Sequence, residues 1–133
     1  MKIIDVEGIG PAFAGKLQAA GCQTTDDLLQ AGATKAGRAS LAAQTGINEG
    51  MILEWVNAAD LMRIKGVGSE FSDLLEAAGV DSPAELAQRN AANLAQTFQE
   101  LDAARNTTRR IPGETEVAAW IEQAKQMDKV VEH

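Results

Sequence analysis

Histidine, cysteine and tyrosine are almost missing from this sequence, with one His, one Cys and no Tyr in 133 residues. Each shortage removes a class of chemistry. The lone Cys22 has no partner for an internal disulfide and cannot assemble a thiolate metal site within one chain. The single histidine is His133, far from any internal Ser or Cys, so no acid–base imidazole or nucleophile–His pair is set up. With no tyrosine and only two Trp and three Phe, platforms for stacking single-stranded nucleic acid are few. No apolar run approaches the roughly 20 residues that span a bilayer. The opening residues Met1, Lys2, Ile3, Ile4 and Asp5 hold no leader-length apolar stretch, which leads to the expectation of a cytoplasmic protein.

Positive charge is also in short supply. The formal net charge is −7, and neither half of the chain is basic: residues 1–62 carry 4 Lys/Arg against 7 Asp/Glu, and residues 63–133 carry 8 against 12. Such a chain repels a phosphate backbone at long range unless its cations are gathered on one face. The scattered carboxylates do not suggest a metal site, and neither a cofactor nor catalytic residues are expected. Asp26 and Asp27 are adjacent, but neighbours on a helix do not share a face. Cap and helix-dipole roles account for them.

What the chain does have is an internal repeat. Residues 8–21 align without a gap onto residues 66–79, with seven of fourteen positions identical, and the match continues through Thr24/Ser82 and Leu28/Leu86. Ile52, Trp55, Val56, Ala59 and Met62 form one stripe of an amphipathic helix. Val117, Trp120, Ile121, Ala124 and Met127 repeat it. The offset grows from 58 to 65 between the two matches, which puts an insertion of seven residues in the second copy, near positions 106–114. The two copies are read as 1–62 and 63–133.

Helix signals fill most of both copies. Pro11 suits the first turn of a helix that ends before Gly21. Thr24 or Thr25 caps the next, with Gly32 closing it. Further helices are expected over roughly 34–44 and 48–62, separated by Gly46 and the Asn48 cap. Ser69 starts a helix closed by Gly79, Ser82 and Pro83 open another in N-cap and N1 order, and helices near 91–103 and 114–129 complete the chain. No stretch alternates apolar and polar residues as a half-buried strand does.

Between the copies, Leu61, Met62, Arg63, Ile64 and Lys65 lead into Gly66-Val67-Gly68, followed by Phe71 and Leu75. The pattern resembles the helix-hairpin-helix motif, in which a helix enters a hydrophobic-Gly-hydrophobic-Gly turn and a second helix leaves at once. Glycine permits a positive φ and close backbone approach there, while Val67, like Ile9 between Gly8 and Gly10, plugs the gap between the helices. Backbone N–H groups at Gly8, Ile9, Gly10, Gly66, Val67, Gly68 and Ser69 are candidates for holding a phosphate oxygen.

On the segments around Gly8–Gly10, Asp26–Ala33, Glu54–Val56 and Arg63–Gly68, nearly the whole chain resembles a bacterial family of tandem helix-hairpin-helix proteins of unknown function. A more distant likeness is to the C-terminal domain of the RNA polymerase alpha subunit and to small N-terminal domains of recombinases, which implies DNA or transcription-complex binding by analogy. DNA-binding hairpins place Lys or Arg early in the helix after the turn, whereas this sequence has Glu70 and Asp73 there. The candidate basic contacts are Lys16, Arg63, Lys65 and the cluster Arg105, Arg109 and Arg110. A solvated loop is the plain reading of that cluster. Trp55, Trp120, Phe13 and Phe71 lie on apolar stripes and read as core anchors. Cys22 matches Val80 and reads as a small buried hydrophobe.

The expected fold is all-α: two tandem helix-hairpin-helix (SAM-domain-like) units packed as one pseudo-symmetric compact domain. Only seven residues precede Gly8, so the first hairpin is expected to lack a leading helix. The helix around Trp120 is expected to supply that arm by closing onto residues 3–17. The expected function is a non-catalytic interaction module or adaptor with a protein partner. The alternative is weak, non-sequence-specific DNA binding through the hairpin amides and the basic cluster.

Overall fold

A computed structural model of the chain describes residues 1–105 and 110–133. Among the described residues the fold is all-helical: a 3-10 turn, Ile3–Asp5, and eight α-helices, with one isolated antiparallel bridge between Lys2 and Thr24. The helices are α1 (Pro11–Ala19), α2 (Thr25–Ala31), α3 (Lys35–Thr45), α4 (Glu49–Leu61), α5 (Ser69–Ala77), α6 (Pro83–Leu86), α7 (Ala91–Arg105) and α8 (Glu114–Lys125). None of them is long and apolar enough to cross a membrane.

The chain forms two compact units: Met1–Asp60 with Val130–His133, and Leu61–Lys129. The boundary lies at the last turn of α4, two residues before the one expected from the repeat. The tail Val130–His133 is counted with the first unit, which the repeat did not foretell.

The local chemistry explains where the helices begin and end. Thr24 and Asp27 make a complete capping box on α2: the Asp27 N–H donates to Thr24 Oγ1 (3.2 Å), and Asp27 Oδ2 accepts from the Thr24 N–H (3.1 Å) and the Gln23 N–H (3.0 Å). Thr34 caps α3, Asn48 accepts from the N–H groups of Gly50 and Met51 at the start of α4, and Ser82 caps α6 with Pro83 behind it. Helices α1 and α5 end in the same way. Gly21 (φ 96°) and Gly79 (φ 89°) follow their last turns in the left-handed region. The next N–H returns five residues back, Cys22 to the Leu17 carbonyl and Val80 to the Leu75 carbonyl, both at 2.9 Å. This is a Schellman closure, and all four of those side chains are buried, which adds the apolar contact that accompanies it.

Each unit has its own aromatic clasp. In the first, Trp55 of α4 is 5% exposed and stands 5.3 Å from Phe13 of α1, ring centre to ring centre, at 55°. In the second, Trp120 of α8 is 2% exposed and stands 5.4 Å from Phe71 of α5 at 47°. Tilted pairs of this kind add about 0.5–1.5 kcal/mol to what burial alone contributes.

The clasp revises the expected place of the C-terminal helix. Helix α8 packs on α6 and α7 inside the second unit, where Val117, Trp120, Ile121 and Ala124 join a core with Leu61, Ile64, Leu75 and Phe98. The first glycine turn is held from the start of the chain. Met1 and Lys2 run beside Gln23–Thr25, with the Thr25 N–H donating to the Met1 carbonyl (2.9 Å) and the N–H of Ile3, first residue of the 3-10 turn, donating to the Gln23 carbonyl (3.1 Å). The 3-10 turn then leads into the glycine turn, and Trp55, already present in the same repeat, covers it. A segment too short for an α-helix is held by a single bridge instead.

Candidate functional site

The two glycine turns have one backbone design. The first glycine of each pair takes the positive φ, 86° at Gly8 and 96° at Gly66. The second, Gly10 or Gly68, is extended and serves as the N-cap of α1 or α5. Between them Ile9 and Val67 are buried, as the sequence requires of a plug. Their N–H groups are taken: Ile9 donates to the Val6 carbonyl (3.1 Å) and Val67 to the Ile64 carbonyl (3.0 Å). Those two amides are therefore withdrawn from the candidate phosphate cradle. Both N-caps are glycine, so neither α1 nor α5 is capped by a side chain. Pro11 removes one donor from the first turn of α1, while Ser69 retains its N–H at the matching position. Ser69 itself is buried, and its carbonyl accepts from Ser72 Oγ at 3.0 Å.

The turns differ in what holds them. Gln123 of α8 grips the main chain of Lys65 on both sides: the Lys65 N–H donates to Gln123 Oε1 (3.0 Å), and Gln123 Nε2 donates to the Lys65 carbonyl (3.1 Å). The repeat puts Glu7 and Ala58 at those two positions in the first unit, so no such grip exists there.

Within the second unit, Arg63 and Arg110 do not converge. Lys16 is exposed on α1, and Arg63 and Lys65 are exposed before the second turn. Arg110 reaches α5, its guanidinium 5.2 Å from the centre of the Phe71 ring. It also forks onto Glu116 with two bonds of 2.7 and 2.9 Å. That pairing raises the Arg110 pKa and holds the Glu116 carboxyl below the usual carboxylate range, mainly through the hydrogen bonds. Arg63 leans the other way, its Nη1 3.5 Å from the Asp128 carbonyl beyond the end of α8. Glu116 lies in the first turn of α8, whose twelve residues span about 18 Å, and Asp128 lies past its last turn. Arg63 and Arg110 thus mark opposite ends of α8. Arg109 lies outside the described residues, as does the side chain of Arg105.

Cys22 is buried, and burial, followed by the Asp27 charge, pushes its thiol pKa up. A thiol kept protonated is a poor nucleophile, in keeping with a packing role.

A model of the DUF4332 family, a domain of unknown function, matches residues 7–127. The chain belongs to the DUF4332 family. No curated protein and no solved structure matches it. The likeness of this DUF4332 chain to the RNA polymerase alpha subunit therefore stays a resemblance of motif.

The feature that sequence reasoning missed in this DUF4332 chain is the groove that takes the tail. Val131 is 1% exposed. The Glu132 N–H donates to the Ala33 carbonyl (2.7 Å), and Glu132 Oε1 accepts from the Lys35 N–H (3.1 Å) at the first position of α3. Arg38, 3% exposed, donates to the carbonyls of Gly32 (2.8 Å), Ala33 (3.3 Å) and Glu132. His133 Nε2 lies 2.9 Å from Oδ1 of Asn57, itself buried in α4. Two signals pointed here: an apolar pair, Val130 and Val131, after the charged end of α8, and an arginine among the small residues of α3.

Proposed function

We propose that the chain is a non-catalytic interaction module, an adaptor built on two helix-hairpin-helix units that binds a protein partner. The two matched glycine turns and their Schellman-closed helices support the hairpin assignment. The observation that carries the protein-partner reading is the disposition of the cations. Duplex DNA is held by several cations tracking one backbone. Here Arg110 is already neutralised by Glu116, Arg63 lies toward the opposite end of α8, and the net charge is −7.

The second reading, weak non-sequence-specific DNA binding, is favoured by the two glycine-capped helix N-termini, with exposed Lys65 three residues before the second of them. Fluorescence anisotropy with short labelled duplex and single-stranded DNA, at low and moderate salt, separates the two. The adaptor reading expects no saturation up to about 100 μM protein, the weak edge of ordinary nonspecific binding. Saturable binding that falls steeply with salt, and is abolished by Lys65→Glu with Arg110→Glu, would install the DNA reading in its place.

A further inference from the structure

Helix α3 is held to the first unit by little of its own surface. Of its eleven residues only Arg38 and Leu41 are buried, so one apolar side chain anchors it from within. A helix of that length is marginal in water on its own, and tertiary packing has to supply the rest. Residues 130–133 supply it. Val131 is 1% exposed within the first unit. The Glu132 N–H donates to the Ala33 carbonyl just ahead of α3 (2.7 Å), and Glu132 Oε1 accepts from the Lys35 N–H that opens the helix (3.1 Å). Arg38 sends one of its three hydrogen bonds to the Glu132 carbonyl. His133 Nε2, 2.9 Å from Asn57 Oδ1, carries the same segment across to α4. The segment thus ties the start of α3 to α4.

The first unit is discontinuous. Residues 1–60 are completed by residues 130–133, whereas the second unit, Leu61–Lys129, is a single run with its own core. Arg38 and Glu132 are 94 residues apart. The entropy of closing so long a loop is lost before any of these contacts forms. Folding of the intervening segment makes it compact and shortens that loop. Docking of α3 is therefore easier after the second unit has formed than before it.

We infer that residues 130–133 are a strap that locks α3 onto the first unit, and that the first unit, although it precedes the second in sequence, completes its fold only after the second has formed. The strap stays in place in the native state and sets the order in which the units are finished. Until residue 133 has been added to a growing chain, Arg38 stays in water and α3 has only Leu41 to hold it.

Hydrogen exchange on the full chain tests this. Val131→Asp puts a charge where the buried apolar side chain sits. The amides of residues 38–45, which close the helical bonds of α3, should then exchange at least about tenfold faster, the factor that corresponds to losing the burial of one valine. Those of α5, α7 and α8 should change by less than about twofold, as expected of independent sites. Val130→Asp is the control: it adds the same charge one residue earlier, at a position 41% exposed, and should leave α3 as it was. In refolding from urea followed by pulsed labelling, α3 should gain protection after α7 and α8. The Val131→Asp variant should form α7 and α8 at the unaltered rate.

If Val131→Asp leaves no folded protein by circular dichroism, Val131→Ala takes its place, with exchange in α3 about three- to tenfold faster from the lost methyl groups. Unchanged exchange in α3, an acceleration shared equally by α5, α7 and α8, an equal response to Val130→Asp, or protection of α3 ahead of α8 would overturn the inference.

Discussion

The two units share a backbone plan and differ in the polar residues added to it. Both run through a glycine turn, a nine-residue helix, a Schellman closure and a short capped helix, and both press a tryptophan onto a phenylalanine. The second unit then secures its turn from outside, with Gln123 on the Lys65 main chain and Arg110 over Phe71. The first has Ala58 and Glu7 where that grip would be, and instead commits Arg38, Lys35 and Asn57 to the tail. Repeated apolar and glycine positions set the path of the chain. Unrepeated polar positions decide what each copy holds: in the second its own turn, in the first a separate segment.

The largest effect should come from breaking the clasps one at a time. Trp55→Ala and Trp120→Ala each remove a buried indole and the ring contact, a loss of about 3–5 kcal/mol. The comparison makes a sharper demand than the size. Amide exchange should speed up in α1 and α2 for Trp55→Ala and in α5 and α6 for Trp120→Ala. If Trp120→Ala instead exposes the amides of α1, the clasps are not private to their repeats, and the parallel between the units fails.

Smaller, and more discriminating, is the pair Gly8→Ala and Gly66→Ala. Both substitutions place an L-residue at positive φ, which costs about 1–2 kcal/mol. They differ in what the new methyl meets. At Gly66 it would stand 3.0 Å from Trp120 Nε1, while at Gly8 it would clear Trp55 Nε1 by 3.8 Å. Gly66→Ala should therefore be the more damaging by about 1 kcal/mol, the low end of overpacking penalties, as read from urea midpoints. Equal penalties would mean that the Trp120 indole yields freely, and that the second turn is no more tightly secured than the first.

These contrasts show which parts of the molecule were legible in advance. The helices, their caps and the core role of both tryptophans could be read because each rests on local signals: Thr24 and Asp27 three apart, Ser82 before Pro83, apolar stripes at helical spacing. The destination of α8 was misread. Spacing shows that Trp120 must be buried, but says nothing of which matched phenylalanine it will meet, and the pairing of Met1 and Ile3 with Gln23 and Thr25 has no helical period to announce it. The tail groove was illegible for a related reason. Arg38 and Glu132 are 94 residues apart, and no pattern along the chain links a buried cation to the carbonyl that satisfies it. The candidate cations were recognised as residues, but their pairing, Arg110 with Glu116 and Arg63 toward Asp128, follows only from where α8 lies.

The smallest expected effect is one of sign, and it falls on a single repeat position. Asp27 and Glu85 are both third residues of capped helices, 58 positions apart. The N–H groups of Gln23 and then Thr24 hold the Asp27 carboxyl below the ordinary carboxylate range. Glu85 is pushed above it, first by burial and then by the hydrogen bond and charge of Asp81, with Arg89 pulling weakly the other way. A depressed carboxyl stabilises the fold above its unfolded pKa, near 4, and that contribution fades as pH falls through the folded value. A raised one does the opposite: its contribution is complete below the unfolded pKa and disappears as pH rises through the folded value. Acidifying from pH 7 toward about 4.5 should therefore raise amide protection in α6 while leaving α2 level, and below about pH 4 protection in α2 should fall. Glu85→Gln should flatten the first response, and Asp27→Asn the second. If α2 and α6 rise and fall together over that range, the two caps answer to one electrostatic field, and the distinction between a completed capping box and a diverted one loses its meaning.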